Sequence, residues 1–176
     1  MTDALRRKTA IVGIGATGIQ VIQTIAKDVG GMSLFVRTPQ YVIPMRNPKY
    51  TAEDWAGYGA RFHELKNRVR NTFSGFDYDF DNGAWADQTP AERTAVLERL
   101  WEDGSLSLWL ASFAEMFFDE QVSAEVSEFV RAKMRARLKN DPVLCDLLIP
   151  KDYGFGTHRV PLENKYLEVY LQPNVK

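Results

Sequence analysis

Cysteine is nearly absent from this chain. Cys145 stands alone, so no internal disulfide can form, which fits a reducing compartment. Histidine is almost as scarce: His63 and His158 lie far apart, and with a single cysteine they form no metal-ligand cluster of recognisable spacing. No apolar run is long enough to cross a bilayer, and the opening Met-Thr-Asp-Ala-Leu-Arg-Arg-Lys lacks the apolar centre of a secretory signal. An excess of one charge is missing too. Lys and Arg total 22 against 23 Asp and Glu, a net charge of −1, so neither nucleic acid nor an acidic membrane is an expected partner. Basic residues gather locally only around Arg131 to Lys139. What is present is ordinary for a soluble globular protein: 176 residues, 45% hydrophobic and 26% charged, enough for one domain with a real core. The expectation is a soluble, cytoplasmic protein.

The most informative stretch lies near the start. Thr9 to Val12 reads as a buried strand, and it runs straight into Gly13, Gly15 and Gly18, a GxGxxG loop. A helical pattern from Thr17 to Asp28 follows, then Gly30-Gly31 as a helix stop, then a second strand from Met32 to Val36. Strand, glycine loop, helix and strand in this order are the context a dinucleotide-binding fingerprint requires. Gly13 allows the tight turn, Gly15 lets the backbone approach a pyrophosphate, and Gly18 lets the helix pack closely. The helix N-terminus offers free N–H groups and a positive dipole end. At the end of the second strand, where a site for NAD usually has Asp or Glu, this chain has Arg37 and then Thr38. A guanidinium matches a phosphate, so the position favours the 2′-phosphate of NADPH. The alternative is a solvated surface arginine.

Three segments follow from the patterning. Residues 1–45 form the dinucleotide-binding unit, 46–142 a helical insertion, and 143–176 a return with a closing strand. The predicted class is α/β: a Rossmann-like domain with a partial parallel sheet and a large α-helical insertion. In the insertion, Trp55, Tyr58, Phe62, Leu65 and Val69 fall on one helical face, read mainly as core. Thr89-Pro90-Ala91-Glu92 is a helix start with a capping box. Leu106 to Phe118 reads as another helix. Ser123 is expected to cap the next, with Val126, Phe129, Val130, Met134 and Leu138 inward, and Asp141-Pro142 starts a short last one. Phe73 to Trp85, rich in Gly, Asp and aromatics, lacks the ligand pattern of a calcium loop and reads as a surface loop.

A second site lies at Lys151-Asp-Tyr-Gly-Phe-Gly-Thr-His-Arg-Val-Pro. Two glycines, an aromatic pair and Arg159 in one short loop suggest a shaped surface able to hold a phosphate or a developing anion. A plain turn with a surface arginine is the alternative.

With that loop included, the chain resembles the Baeyer–Villiger monooxygenases, flavin- and NADPH-dependent enzymes that insert oxygen beside a ketone carbonyl. The resemblance rests on Ile11 to Ile22 with its GIGATGIQVI, LFVRTPQYVIP at Leu34 to Pro44, the helical insertion, and PKDYGFGTHRVPLENKYLEVY with QPNV at Pro150 to Val175, all in family order. It implies that Gly13, Gly15, Ala16, Thr17, Gly18 and Gln20 belong to the NADPH-binding turn and that Arg37 and Thr38 meet the 2′-phosphate. It implies that Arg159 is the family's catalytic arginine, which ends a GTKR stretch, stabilises the anionic flavin peroxide and lies beside the nicotinamide. His158 stands where the family has lysine, which also helps hold the 2′-phosphate, and Val36 replaces a common glutamine. Family members are much longer and carry an earlier GxGxxG for FAD. These residues contain no second glycine fingerprint, so the expectation is an NADPH-binding portion without its own FAD site, acting on a small ketone. The alternatives are a non-redox homologue that binds a nucleotide or hydrophobic ligand, and a truncated relict. An incomplete sheet exposes an edge, so a homodimer or a covering partner chain is expected.

Overall fold

A computed structural model describes residues 7–176. The opening residues read above for a signal lie outside the described part, apart from Arg7 and Lys8. Strand β1 (Lys8–Val12) pairs in parallel with β2 (Gly31–Phe35), from Lys8 opposite Gly31 to Val12 opposite Phe35. Helix α1 (Ala16–Ile25) makes the crossover and buries Ile19 and Ile22 completely. The other edge of β2 is taken by the chain's last residues, where Met32 bridges Val175 in parallel and Leu34 N–H donates to Lys176 O at 2.8 Å. In place of the expected closing strand, the described residues show an isolated bridge at Val175. A second parallel pair joins β3 (Ile43–Pro44) to β4 (Leu162–Glu163).

Helix α1 ends at Ile25, short of the expected Asp28. The reason lies at the far end of the sequence: Asn174 Nδ2 donates to the carbonyls of Ala26 and Val29, at 2.9 and 3.0 Å, holding a turn there before Gly30 is reached.

The helical segment departs further from the sequence reading. The Trp55–Val69 stripe spans two helices, α2 (Ala52–Ala60) and α3 (Phe62–Asn71), broken at Arg61. Gly57 and Gly59 weaken helix propensity just before the break. Neither helix has a buried residue, and Trp55 is 64% exposed, so this face is not core. Its aromatics pack on one another, Tyr50 lying 5.5 Å from Trp55 and 5.7 Å from Tyr58. Helix α4 (Pro90–Asp103) starts with the expected Thr89–Glu92 capping box. Leu106–Phe118 is not one helix but a four-residue α5 (Ser107–Leu110) and a 3-10 turn at Ala114–Phe117. Asn82 Nδ2 interrupts it by donating to Ala111 O and Ser112 O, at 2.7 and 2.9 Å. The Phe73–Trp85 loop thus clamps its neighbours. Its acidic residues serve ion pairs, with Arg68 reaching Asp77 at 3.1 Å and Asp81 at 2.8 Å. No group of three His, Cys, Asp or Glu able to hold a metal occurs among the described residues.

Helix α6 (Glu120–Arg137) is the axis of the core. It is capped by Asp119 rather than Ser123, because Asp119 Oδ1 accepts from the N–H groups of Gln121 and Val122. The inward stripe is as expected: Val126, Val130, Met134 and Leu138 are fully buried, with Phe129 half-buried. Asp141 caps α7 (Pro142–Leu148). Helix α8 (Tyr166–Val169) then packs against α1. No helix among the described residues is long and apolar enough to cross a membrane.

Candidate nucleotide-binding site

β1 ends at Val12, and Gly13 turns the chain with φ +87°, its N–H donating to Phe35 O at 3.0 Å. That bond ties the glycine loop to the end of β2. Gly15 is the extended N-cap of α1, and a Cβ there would meet nothing within 4 Å, so the backbone faces open space. Gly18 is fixed by close approach: a Cβ would sit 2.5 Å from Gly13 O. The third glycine therefore seats the helix against its own loop, a tighter constraint than packing on the sheet.

No side chain caps α1, and its first turn holds no acidic residue. Its leading N–H groups and positive dipole end are left for an anion. Gly13 and Gly15 line a cleft of about 400 Å³ together with Phe35, Arg37, Thr38 and Gln40. It opens at the carboxyl ends of two parallel strands, where nucleotide ligands of such sheets bind. The glycine cradle and the phosphate-matching arginine thus face one space. Ala16, Thr17 and Gln20 are exposed on the first turns of α1 and do not line the cleft. Gln40 does, and sequence reasoning passed it over. Its only signal was its place three residues after Arg37.

Arg159 and His158 are exposed and stand outside the cleft lining. Their loop is nevertheless stitched to the segment that follows Thr38. Tyr153 Oη donates to Pro39 O at 2.6 Å, Tyr41 Oη donates to Tyr153 O at 3.1 Å, and Ile43 N–H donates to Pro161 O at 3.2 Å. Burial pushes both phenols above their ordinary pKa, so both stay protonated as donors. The His158 ring stacks on Tyr153 with centroids 4.4 Å apart. On the other side, Ser127 Oγ accepts the Phe155 N–H at 2.8 Å, and Arg131 donates to Pro150 O at 2.9 Å. Gly156, at φ +84°, lies against the Trp109 indole. Ser127 and Arg131 carry no local signal of this role.

Beside this loop a second cavity of about 470 Å³ is lined by Met116, Phe117, Ser123, Arg131, Gly154 and Thr157.

No protein-family model matches the chain. Among curated proteins, it is 62% identical to the acetone monooxygenase (methyl acetate-forming) of Gordonia sp. (strain TY-5), over 98% of this chain and 32% of the relative. It is 37% identical to the cyclopentanone 1,2-monooxygenase of Comamonas sp. (strain NCIMB 9872), over 96% of this chain and 31% of that protein. Among solved structures, OTEMO in complex with FAD and NADP superposes with a TM-score of 0.94 at 32% identity, over 99% of this chain and 32% of that one. An open structure of cyclohexanone monooxygenase gives 0.90 at 29% identity, over 99% and 34%. The chain thus spans about a third of the length of the relatives it matches. The shared α/β architecture, the glycine turn and the near-complete alignment of this chain lead to one assignment: it belongs to the Baeyer–Villiger monooxygenase family of flavin enzymes.

Proposed function

We propose that this chain supplies the NADPH-binding face of a Baeyer–Villiger-type monooxygenase that converts a small ketone to an ester or lactone. The observation that carries the reading is the cleft in which Gly13 and Gly15 meet Arg37 and Thr38. The uncapped N-terminus of α1 takes the pyrophosphate, and Arg37 with Thr38 takes the 2′-phosphate. His158, in the loop tied to Pro39 through Tyr153, would add a donor in place of the lysine the resemblance implies. Arg159 would present a cation to negative charge developing near the nicotinamide. In such enzymes a bound flavin supplies the oxygen-activating chemistry. We assign it no site in this chain, because the described residues offer no second glycine turn between strand and helix. Those residues fit a nicotinamide nucleotide better than a flavin.

Fluorescence titration of the purified chain with NADPH and NADH tests this. NADPH binds tighter, and Arg37→Ala removes the preference, costing about tenfold or more in NADPH affinity, the value of a charge-assisted hydrogen bond. Equal affinities for the two nucleotides in the unaltered chain would sink the assignment.

A second reading, a non-redox module holding an apolar ligand, draws on the 470 Å³ cavity beside the Arg159 loop. It is favoured if a small ketone binds with no nucleotide binding at all. We also infer that the edge of β1 that is unpaired among the described residues, with the exposed Val12 at its end and Phe35 opposite it on β2, is covered by a second copy or a partner chain. Sedimentation as a monodisperse monomer would overturn that.

A further inference from the structure

Tyr153 occupies a junction that the nucleotide reading leaves unexplained. Its hydroxyl donates to the carbonyl of Pro39, the residue after Thr38, at 2.6 Å. Its own carbonyl accepts from Tyr41 Oη at 3.1 Å and from Arg131 Nη2 at 3.2 Å. Its ring lies under the His158 imidazole at 4.4 Å and 24°. Tyr41 is buried and meets the Tyr153 ring edge-on at 5.4 Å. Tyr153 is thus held from below by buried groups, while its upper face carries an exposed histidine.

We propose that Tyr153 is the positioning residue that sets this chain's preference for a 2′-phosphorylated nucleotide, by holding the His158 imidazole on a ring that is itself bonded to Pro39, next to Thr38. This rests on the NADPH reading above. An exposed histidine on a loop loses rotamer freedom when it grips a phosphate, and that loss weakens binding. A ring already stacked in place has lost it beforehand. The Pro39 bond matters equally, because it ties the platform under His158 to the loop that presents Arg37. The family's lysine is a point charge on a flexible stem and can find a phosphate without such a platform. A planar imidazole on a short stem cannot, so its bearing must be built into the fold.

The test uses the full chain, with 2′,5′-ADP and 5′-AMP as probes in calorimetric titration. The unaltered chain binds 2′,5′-ADP at least about tenfold more tightly. Tyr153→Leu removes both stack and tether, and cuts 2′,5′-ADP affinity about tenfold while leaving 5′-AMP affinity unchanged. In a His158→Ala background the same substitution has no further effect, because Tyr153 acts through His158. If Tyr153→Leu keeps the full preference, or weakens both ligands equally, the proposal falls while the NADPH reading stands. If the unaltered chain shows no preference, the NADPH reading fails and takes this proposal with it. Should Tyr153→Leu not fold, Tyr153→Phe decides: it loses only the Pro39 bond, and the preference drops about threefold. An unchanged preference there overturns the proposal.

Discussion

Adding a single methyl group at Gly156 tests whether the loop carrying His158 and Arg159 is built as described. Gly156 has φ +84°, and a Cβ there would lie 2.6 Å from Trp109 Nε1 and 2.8 Å from Cδ1 of the same ring. Two costs add. Holding an alanine in the left-handed region costs about 1–2 kcal/mol. Forcing the indole aside costs about 1–3 kcal/mol more, as overpacking does, because the ring is half-buried against the core. Gly75 separates the two terms: its φ is +75°, but a Cβ there meets nothing within 4 Å. Gly75→Ala therefore pays the backbone cost alone. In a chain of this size 1 kcal/mol moves the melting temperature by roughly 2–4 °C. Gly156→Ala should melt roughly 2–12 °C below Gly75→Ala by scanning calorimetry. In a Trp109→Leu background the gap should close, since the obstructing ring is gone. Coincident melting of the two alanine variants would refute the packing of Gly156 on Trp109.

Two further predictions concern the ion cluster that fastens α6 to the return segment. Glu163 has a fully buried side chain, accepts two bonds from Arg137, and takes the Tyr166 N–H at 2.6 Å. Glu163→Ala leaves the Tyr166 N–H without its acceptor and Arg137 with Glu168 alone, and should cost about 1–3 kcal/mol, seen as a lower urea midpoint at unchanged slope; an unmoved midpoint refutes it. In Glu168, burial raises the carboxyl pKa, but the Arg137 bond and charge outweigh it, and the net shift is downward from 4.5. A depressed folded pKa contributes stability above the ordinary value that is lost as pH falls through the depressed one. Unfolding free energy should therefore decline on acidification below about pH 4.5, and Glu168→Gln should flatten that decline. An identical acid limb in the variant would count against the pairing.

The parts of this protein readable in its sequence are those whose determinants are contiguous. The β1–glycine–α1–β2 unit is one, because Gly13, Gly15 and Gly18 act within a single turn. The Thr89–Glu92 capping box and the α6 stripe are others. Where reading failed, a distant residue supplied the deciding bond. Asn82 breaks the Leu106–Phe118 stretch by taking two of its carbonyls, and Asn174 holds the turn after α1. The exposed Trp55–Phe62 face failed differently. Its period is correct, but period says only that a face is apolar, not what lies against it.

The same distinction bears on the site. Arg37 and Arg159 are both visible as isolated cations, yet isolated cations are common on surfaces. What ties the segments that carry them is the seam from Tyr153 to Pro39, Tyr41 to Tyr153 and Ile43 to Pro161, which joins stretches more than a hundred residues apart in sequence. A motif supplies the chemical group, and the seam supplies its bearing. On the proposed reading, His158 would be a shorter and stiffer donor than the lysine the resemblance implies, and the aromatic platform beneath it would do the aiming that a lysine's flexible stem makes unnecessary.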